Sequence, residues 1–497
     1  MKPLGSITMC HKFINSDDKD IIDGLAADSE SYHDFATRLG EYVCTNDVPY
    51  ELAHIAIVQA WELRETSLID EIASRYGEEP FVKPWTYPIR TRSDRLSLSH
   101  HIQDAVELAL HDNPSEWIKM NLLLLKAYAL LHTPQGPAAL DEAKALLATS
   151  SDLSCYRPYI HHIECRLIYE QEGNLTEVIP ICQEGLELAL EDDNLYQAIW
   201  LYRWLGMFIM NTDPHQAAQH LEEAYKIAKN LGTPFHTAAA LTEMGWISVI
   251  LGEYDLALAF YDEARTLSAS LDEVSDRHAV TLSHICSDLD DAQQALDWAN
   301  WALEWHMNHG SEGDSWTHSA MARALTLLGR LDEAAEHLDT SREMAFRSGQ
   351  EREIAFFYLV SGLYETISGE PASAVETLRG ALEICERTKT QQYMNRVLLA
   401  LVRAEIANFK QEGGDETSDS SGQWMTYLED IARSKNLPGI LIQHSLLKAD
   451  FQLIQGRISD ARTTLIEALD IHNSPGVRSL QNQVLEKIRE IDTKSSI

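Results

Sequence analysis

The chain is short of positive charge. Its 497 residues hold 40 lysines and arginines against 77 aspartates and glutamates, a formal net charge of −37. That balance argues against nucleic acid or an anionic membrane as the main partner, because both would be repelled. The deficit is uneven: no lysine occurs between Lys229 and Lys389, and residues 241–314 carry Arg265 and Arg277 as their only lysine or arginine cations. Cysteine is sparse as well. The seven thiols are odd in number and scattered, which excludes a disulfide framework and suits a reducing compartment. Residues 1–20 contain no apolar stretch of the secretion-signal kind. The most apolar runs, 122–131 and 199–210, are broken by Lys126 and Arg203 and are too short to cross a bilayer. A cytoplasmic protein with no membrane partner is expected.

Motifs of chemistry are missing too. There is no phosphate-binding Gly-x-x-x-x-Gly-Lys run, dinucleotide glycine fingerprint, His-Glu-x-x-His or nucleophile elbow. The reading is therefore of a chain that is no enzyme and takes no cofactor. Cys155, His161, His162 and Cys165 form the best coincidence of metal-ligand types, since His161 and Cys165 would share a helix face. No second spaced pair of ligands follows, so no metal site is expected.

What the chain has in abundance is a repeated phrase. Gly252-Glu253-Tyr254-Asp255 leads into Ala257 and Ala264, and Gly329-Arg330-Leu331-Asp332 leads into Ala334 and Ser341. The phrase returns as Gly369 into Ala374 and Ala381, and as Gly456 into Ala461 and Ala468. Degenerate copies start at Gly173, Thr212 and Asp290. Self-similarity at roughly forty residues means stacked helical hairpins, each buried by its neighbours, and not one globular core.

Around the repeats the organisation is as follows. Residues 1–27 form a polar lead-in, and 28–78 a small module of three amphipathic helices. A Pro-rich linker, 79–92, holds Pro80, Pro84 and Pro88 and is expected to be extended, with Phe81, Trp85 and Tyr87 docking into apolar gaps. Arg90, Arg92 and Arg95 make the densest basic patch. The solenoid occupies 93–472, interrupted by an acidic loop at 411–422. Residues 473–497 supply a capping helix with Val477, Leu480, Val484, Ile488 and Ile491 on one side.

A small residue also precedes the key alanines by twelve positions: Gly245, Ser283, Ala322, Gly362 and Ala449, with Gly206 off by one and Ala404 in the same place of the unit that the acidic loop interrupts. A small residue there lets the two helices of a hairpin approach closely. Small residue, alanine, a large residue four later (Tyr261, Leu338, Leu378, Leu465) and another small residue together resemble the tetratricopeptide repeat. The repeats are longer than the usual form and are similar to those of bacterial and archaeal signal-sensing regulators. The resemblance implies an all-α, right-handed superhelical solenoid of antiparallel helix pairs that binds a protein or peptide segment.

In that family the concave groove is lined by positions six before, three before and one after the small residue. Those columns hold Trp200 and Arg203, Trp246, Arg277 and His284, then Trp316 and Arg323, with Phe356, Leu359 and Leu363 beyond. The expected site is thus an aromatic groove with three arginines, suited to a segment mixing acidic and apolar residues. The lysine and asparagine clamp for a chaperone's C-terminal carboxylate is missing from these columns. Trp301 stands where other repeats carry Glu223, Glu263, Thr340 and Glu467, which marks it as a possible surface contact. The functional reading is a scaffold or adaptor. The alternative is a ligand-sensing regulator, with the N-terminal helices as effector and the solenoid as sensor.

Overall fold

The computed structural model describes residues 16–63, 65–87, 92–171, 175–269, 276–308, 311–411, 420–471 and 474–495. Among these are 24 α-helices and no strand, so the chain is all-α as the repeats require. No helix among the described residues is long and apolar enough to cross a membrane. Only Gly252 and Glu253 separate helix Pro234–Leu251 from helix Tyr254–Ala269. So short a link reverses the chain and lays the pair antiparallel.

The repeat phrase becomes the hairpin interior. Ala257, Ala264, Ala334, Ser341, Ala374, Ala381, Ala461 and Ala468 are all buried. The small residue of each first helix faces the large residue of the second. A Cβ on Gly245 would stand 2.7 Å from the Tyr261 ring, and one on Gly362 2.4 Å from Leu378 Cγ. Even a methyl group would therefore force the helices apart. Such small-against-large seams are what the repeat spacing requires of closely paired helices.

The chain divides into two compact units, 1–208 with 217–240 and 209–216 with 241–497. In the first, helices Tyr32–Thr45, Tyr50–Leu63 and Thr66–Tyr76 precede the repeats. Helix Tyr50–Leu63 is buried on nearly every side, as its near-continuous apolar sequence demands. Phe35, Ile57 and Trp61 share one core with Ile118, Leu122 and Ile160 of the first repeat helices. The expectation of an extended linker is corrected over 79–87: Glu79–Val82 makes turns and Lys83–Thr86 is a 3₁₀ helix. Pro84 sits in its first turn, where a fixed φ and a missing N–H cost nothing. Trp85 is buried edge-on against Trp61 at 5.4 Å and against His54 at 6.0 Å. Phe81 packs on Tyr50 at 5.2 Å. The basic patch at 90–95 and most of the acidic loop, 412–419, lie outside the residues whose side chains are described.

In the second unit the last helices return to the first. Gly439 lies against Gly252 so closely that a Cβ on Gly252 would meet the Gly439 Cα at 2.7 Å. Tyr254 donates its hydroxyl to Gln443 at 3.3 Å, and Ser479 donates N–H and O–H to Asp255 at 2.9 and 2.5 Å. Helix Arg478–Ser495 buries Leu480, Val484 and Ile491 in a cluster that includes Tyr254 and Tyr261 as well as Leu465. Its apolar face is thus covered from both ends of this unit.

Gly252 combines φ of +75° with backbone contact, whereas Gly329 has φ of +72° and open space around it. Gly329→Ala should cost only the left-handed backbone penalty, about 1–2 kcal/mol. Gly252→Ala adds overlap with an unyielding backbone and should cost about twice that or more. Urea denaturation of the two variants side by side measures the difference.

Candidate functional site

A buried ion cluster organises the second unit. Asp288 closes helix Asp276–Asp288, Arg323 lies on Ser315–Leu327, Arg396 and Arg403 on Gln391–Gln411, and Gln443 on Pro438–Ile454. Arg323 Nη2 donates to Asp288 Oδ1 at 2.5 Å, and its Nη1 donates to the His284 carbonyl at 3.3 Å. Arg396 donates Nε and Nη2 to Asp288 Oδ2 at 2.8 and 2.6 Å. Gln443 Nε2 donates to the Asp288 carbonyl at 3.4 Å. Asp288, Arg323, Arg396 and Gln443 are all buried. Burial by itself would raise the Asp288 pKa, but the Arg323 and Arg396 charges and hydrogen bonds prevail and hold it below the ordinary carboxylate value. His284 is pushed the same way for a different reason. Burial, then the Arg323 and Arg396 charges, take its pKa well below the usual histidine range, so it is neutral near pH 7.

Beside this cluster opens a small cavity of about 30 Å³, lined by Asp288, Arg323, Arg396, Arg403 and Gln443 on its polar side and by Leu359, Leu363, Leu399 and Ala400 on its apolar side. Three guanidinium groups face one carboxylate, so the lining is net positive inside a strongly negative chain. Arg403 lies about two turns from Arg396 on the same helix face. It is half-buried and has no ion pair or hydrogen bond among the described residues. Trp316, Phe356 and Tyr393 form an aromatic group, with centroids 5.1 Å apart for Trp316–Phe356 and 5.7 Å for Trp316–Tyr393. Phe356 also reaches His284 at 4.5 Å.

The first unit contains a cavity of different character. Its volume of about 60 Å³ is lined by Trp61, Trp85, Tyr128, Tyr159, Tyr196 and Trp200, with Glu62, Asn121, His162 and Gln197 as polar members. Trp200 stacks on His162 at 5.1 Å, meets His236 edge-on at 5.0 Å, and carries the Arg203 guanidinium 4.8 Å from its ring centre.

The residues expected to line one groove are therefore distributed. Trp200 and Arg203 belong to the first unit, and Trp246, Arg277, His284, Trp316 and Arg323 to the second. The structure brings Arg323, Leu359 and Leu363 to one cavity and places His284 and Trp316 around Phe356. Trp246 is half-buried in helix Pro234–Leu251, apart from either cavity lining. The side chain of Arg277 lies outside the described residues. Trp301 is half-buried on the Ala295–Ala299 cluster. Arg396 and Arg403 were missed because they stand eight and one before Ala404, off the columns that define the groove face. Their spacing of seven, on one helix face, was the available signal. Of the metal-type residues, Cys165 donates to the Val178 carbonyl at 3.7 Å, and His161 and His162 engage Arg157 and Gln197. Among the described residues no group of three or more His, Cys, Asp or Glu could hold a metal ion.

No family model matches the chain and no curated protein sequence does. Among solved structures it is similar to a Rap protein complexed with Competence and Sporulation Factor, at 14% identity over 76% of this chain and 98% of that one, with a TM-score of 0.37. It is also similar to phAimR with its ligand, at 14% identity over 81% and 98% of the two chains and a TM-score of 0.40. Yeast Tom70 matches at 11% identity over 94% and 93%, with a TM-score of 0.33. Superpositions this loose say nothing about what this chain binds.

Because the Asp288 pKa is lowered by folding, its contribution to stability is complete above the unfolded value of about 3.9 and is lost as pH falls through the folded value. Asp288→Asn leaves two buried arginines short of a counter-charge and should cost about 3–5 kcal/mol at pH 7. Denaturation followed from pH 7 down to pH 3 should show the variant losing less with acid than the parent.

Proposed function

We propose that the chain is a protein- or peptide-binding helical-repeat adaptor of the cytoplasm, and not an enzyme. Its anchor is the arginine cavity of the second unit, which takes a segment carrying a carboxylate beside apolar side chains. The observation that carries this reading is Arg403, a half-buried guanidinium with no partner among the described residues. It stands over the same cavity as Arg396, whose Nη1 is not used on Asp288. Guanidinium groups bind carboxylates through paired N–H donors, and Leu359, Leu363 and Leu399 supply the adjoining apolar contact. Trp316, half-buried against the fully buried Phe356, extends the apolar surface toward an elongated ligand. The acidic surface elsewhere, with a net charge of −37, disfavours nucleic acid and anionic lipid and slows an acidic partner's approach instead of steering it.

The arginines of the site have different duties. Arg323 is spent on Asp288 and the His284 carbonyl, so its removal unsettles the fold. Arg403 bears no such load.

A partner captured from cell extract and identified by mass spectrometry supplies the ligand for titration. Arg403→Ala should weaken its binding by about 1–3 kcal/mol with an unchanged circular dichroism spectrum and melting temperature. Higher salt should weaken it further. A basic partner whose affinity is unchanged or raised by Arg403→Ala would overturn the reading.

A further inference from the structure

The charges around the second unit's cavity do not balance. Arg323 and Arg396 are each more than nine-tenths buried, and both are spent on the one carboxylate of Asp288. Asp288 is the carboxylate that acts on Arg396, and after it come the phenols of Tyr254 and Tyr393. Burial above all raises the Tyr254 pKa beyond the ordinary phenol value, so this phenol is neutral. Gln443 is neutral as well, and is taken up by the Tyr254 hydroxyl and the Asp288 carbonyl. His284, its pKa driven well below the usual histidine range, adds no charge near pH 7. Arginine stays protonated throughout the pH range of a folded protein. With Arg403, three guanidinium groups therefore face one carboxylate in the lining. Buried charge in excess of its partners is strongly disfavoured until a counter-ion meets it.

Donors for such an ion stand in the wall. Arg396 binds Asp288 through Nε and Nη2, and its Nη1 makes no hydrogen bond among the described residues. Arg403 brings a whole guanidinium that has no partner among them. Both line the same cavity from helix Gln391–Gln411. The size of the cavity then chooses among anions. Its volume of about 30 Å³ is room for roughly two water-sized atoms. A tetrahedral oxyanion with four oxygens is too large, whereas chloride fits, and so does the two-oxygen end of a carboxylate. The opposite wall of Leu359, Leu363, Leu399 and Ala400 has no polar side chain to solvate a second charge.

We propose that this cavity binds one monovalent anion of chloride size, held by Arg396 and Arg403, as the counter-ion of the Asp288 cluster. Guanidinium N–H groups are strong donors to such an ion. A free ion and the carboxylate of a docked segment share this chemistry, so they compete for one place. The anion site stands on the charge balance of the cluster alone, and its exchange for a segment rests on the adaptor reading.

The test uses the full chain without a partner, at a constant ionic strength of about 0.2 M, with sodium chloride replacing sodium gluconate. Chloride should raise the melting temperature along a saturating curve, as a ligand of the folded state does, and its NMR line should broaden in the presence of the protein. Bromide and formate should act as chloride does, and sulfate and gluconate should not. Arg403→Gln should weaken chloride binding at least about tenfold with circular dichroism unchanged. Arg342→Gln, at an exposed arginine of helix Leu331–Ser348, should leave it as in the parent. A melting temperature indifferent to which anion is present, sulfate matching chloride, an unbroadened chloride line, or a chloride response that survives Arg403→Gln would overturn the proposal. A captured partner separates this site from the adaptor reading. Chloride that weakens its binding more than gluconate does supports the shared place. Chloride binding beside a partner indifferent to chloride leaves the anion site standing and overturns the adaptor reading alone.

Discussion

One carboxylate determines the arrangement of the second unit. Asp288 sits where helices from distant parts of the chain converge, and it is neutralised by Arg323 from one side and Arg396 from the other. A buried ion of this kind costs several kcal/mol to desolvate and is tolerated only when its hydrogen bonds are complete. That requirement makes the cluster demanding in geometry. Helices bearing Asp288, Arg323, Arg396 and Gln443 must all be in register, or a charge is left stranded. Apolar packing between repeats is more forgiving, since alanine against leucine works over a range of small shifts. The ion cluster thus specifies the register, and the apolar hairpins supply the bulk of the stability.

The same cluster creates the site next to it. Two arginines share one aspartate, so the pair carries excess positive charge, and Arg403 adds a third guanidinium to the lining. A net-positive cavity within a chain of charge −37 is a local inversion that composition alone conceals. The first unit holds a cavity of another kind, with Glu62 hydrogen-bonded by Tyr32 and Tyr159 among aromatic walls. In the second unit the cavity's fixed charge comes largely from side chains that the fold has already buried. Preorganised charge of this sort needs little rearrangement to receive a ligand, which favours affinity.

The Pro-rich segment shows why local rules stop short. Three prolines exclude regular α-helix, and that much held. They did not exclude the single 3₁₀ turn, because Pro84 occupies a first-turn position and Trp85 is drawn into the gap between Trp61 and His54. Docked in this way, the segment is a wall of the aromatic cavity.

The all-α class, the hairpin period and the buried small residues were determined by sequence alone. They depend on contacts between residues within one repeat, where spacing along the chain translates directly into position on a helix face. Gly245 against Tyr261 and Gly362 against Leu378 are such contacts. The sites were only partly legible. The face rule brought Arg323, Leu359 and Leu363 to one cavity, but it passed over Arg396 and Arg403, which stand off its columns. It also passed over Glu62, which lies outside the repeats and looked like one more acid among 77 aspartates and glutamates. Which arginine is spent on structure and which is left for a ligand was decided by tertiary structure alone. That depends on whether a carboxylate more than a hundred residues away in sequence, as Asp288 is from Arg396, arrives within hydrogen-bond reach.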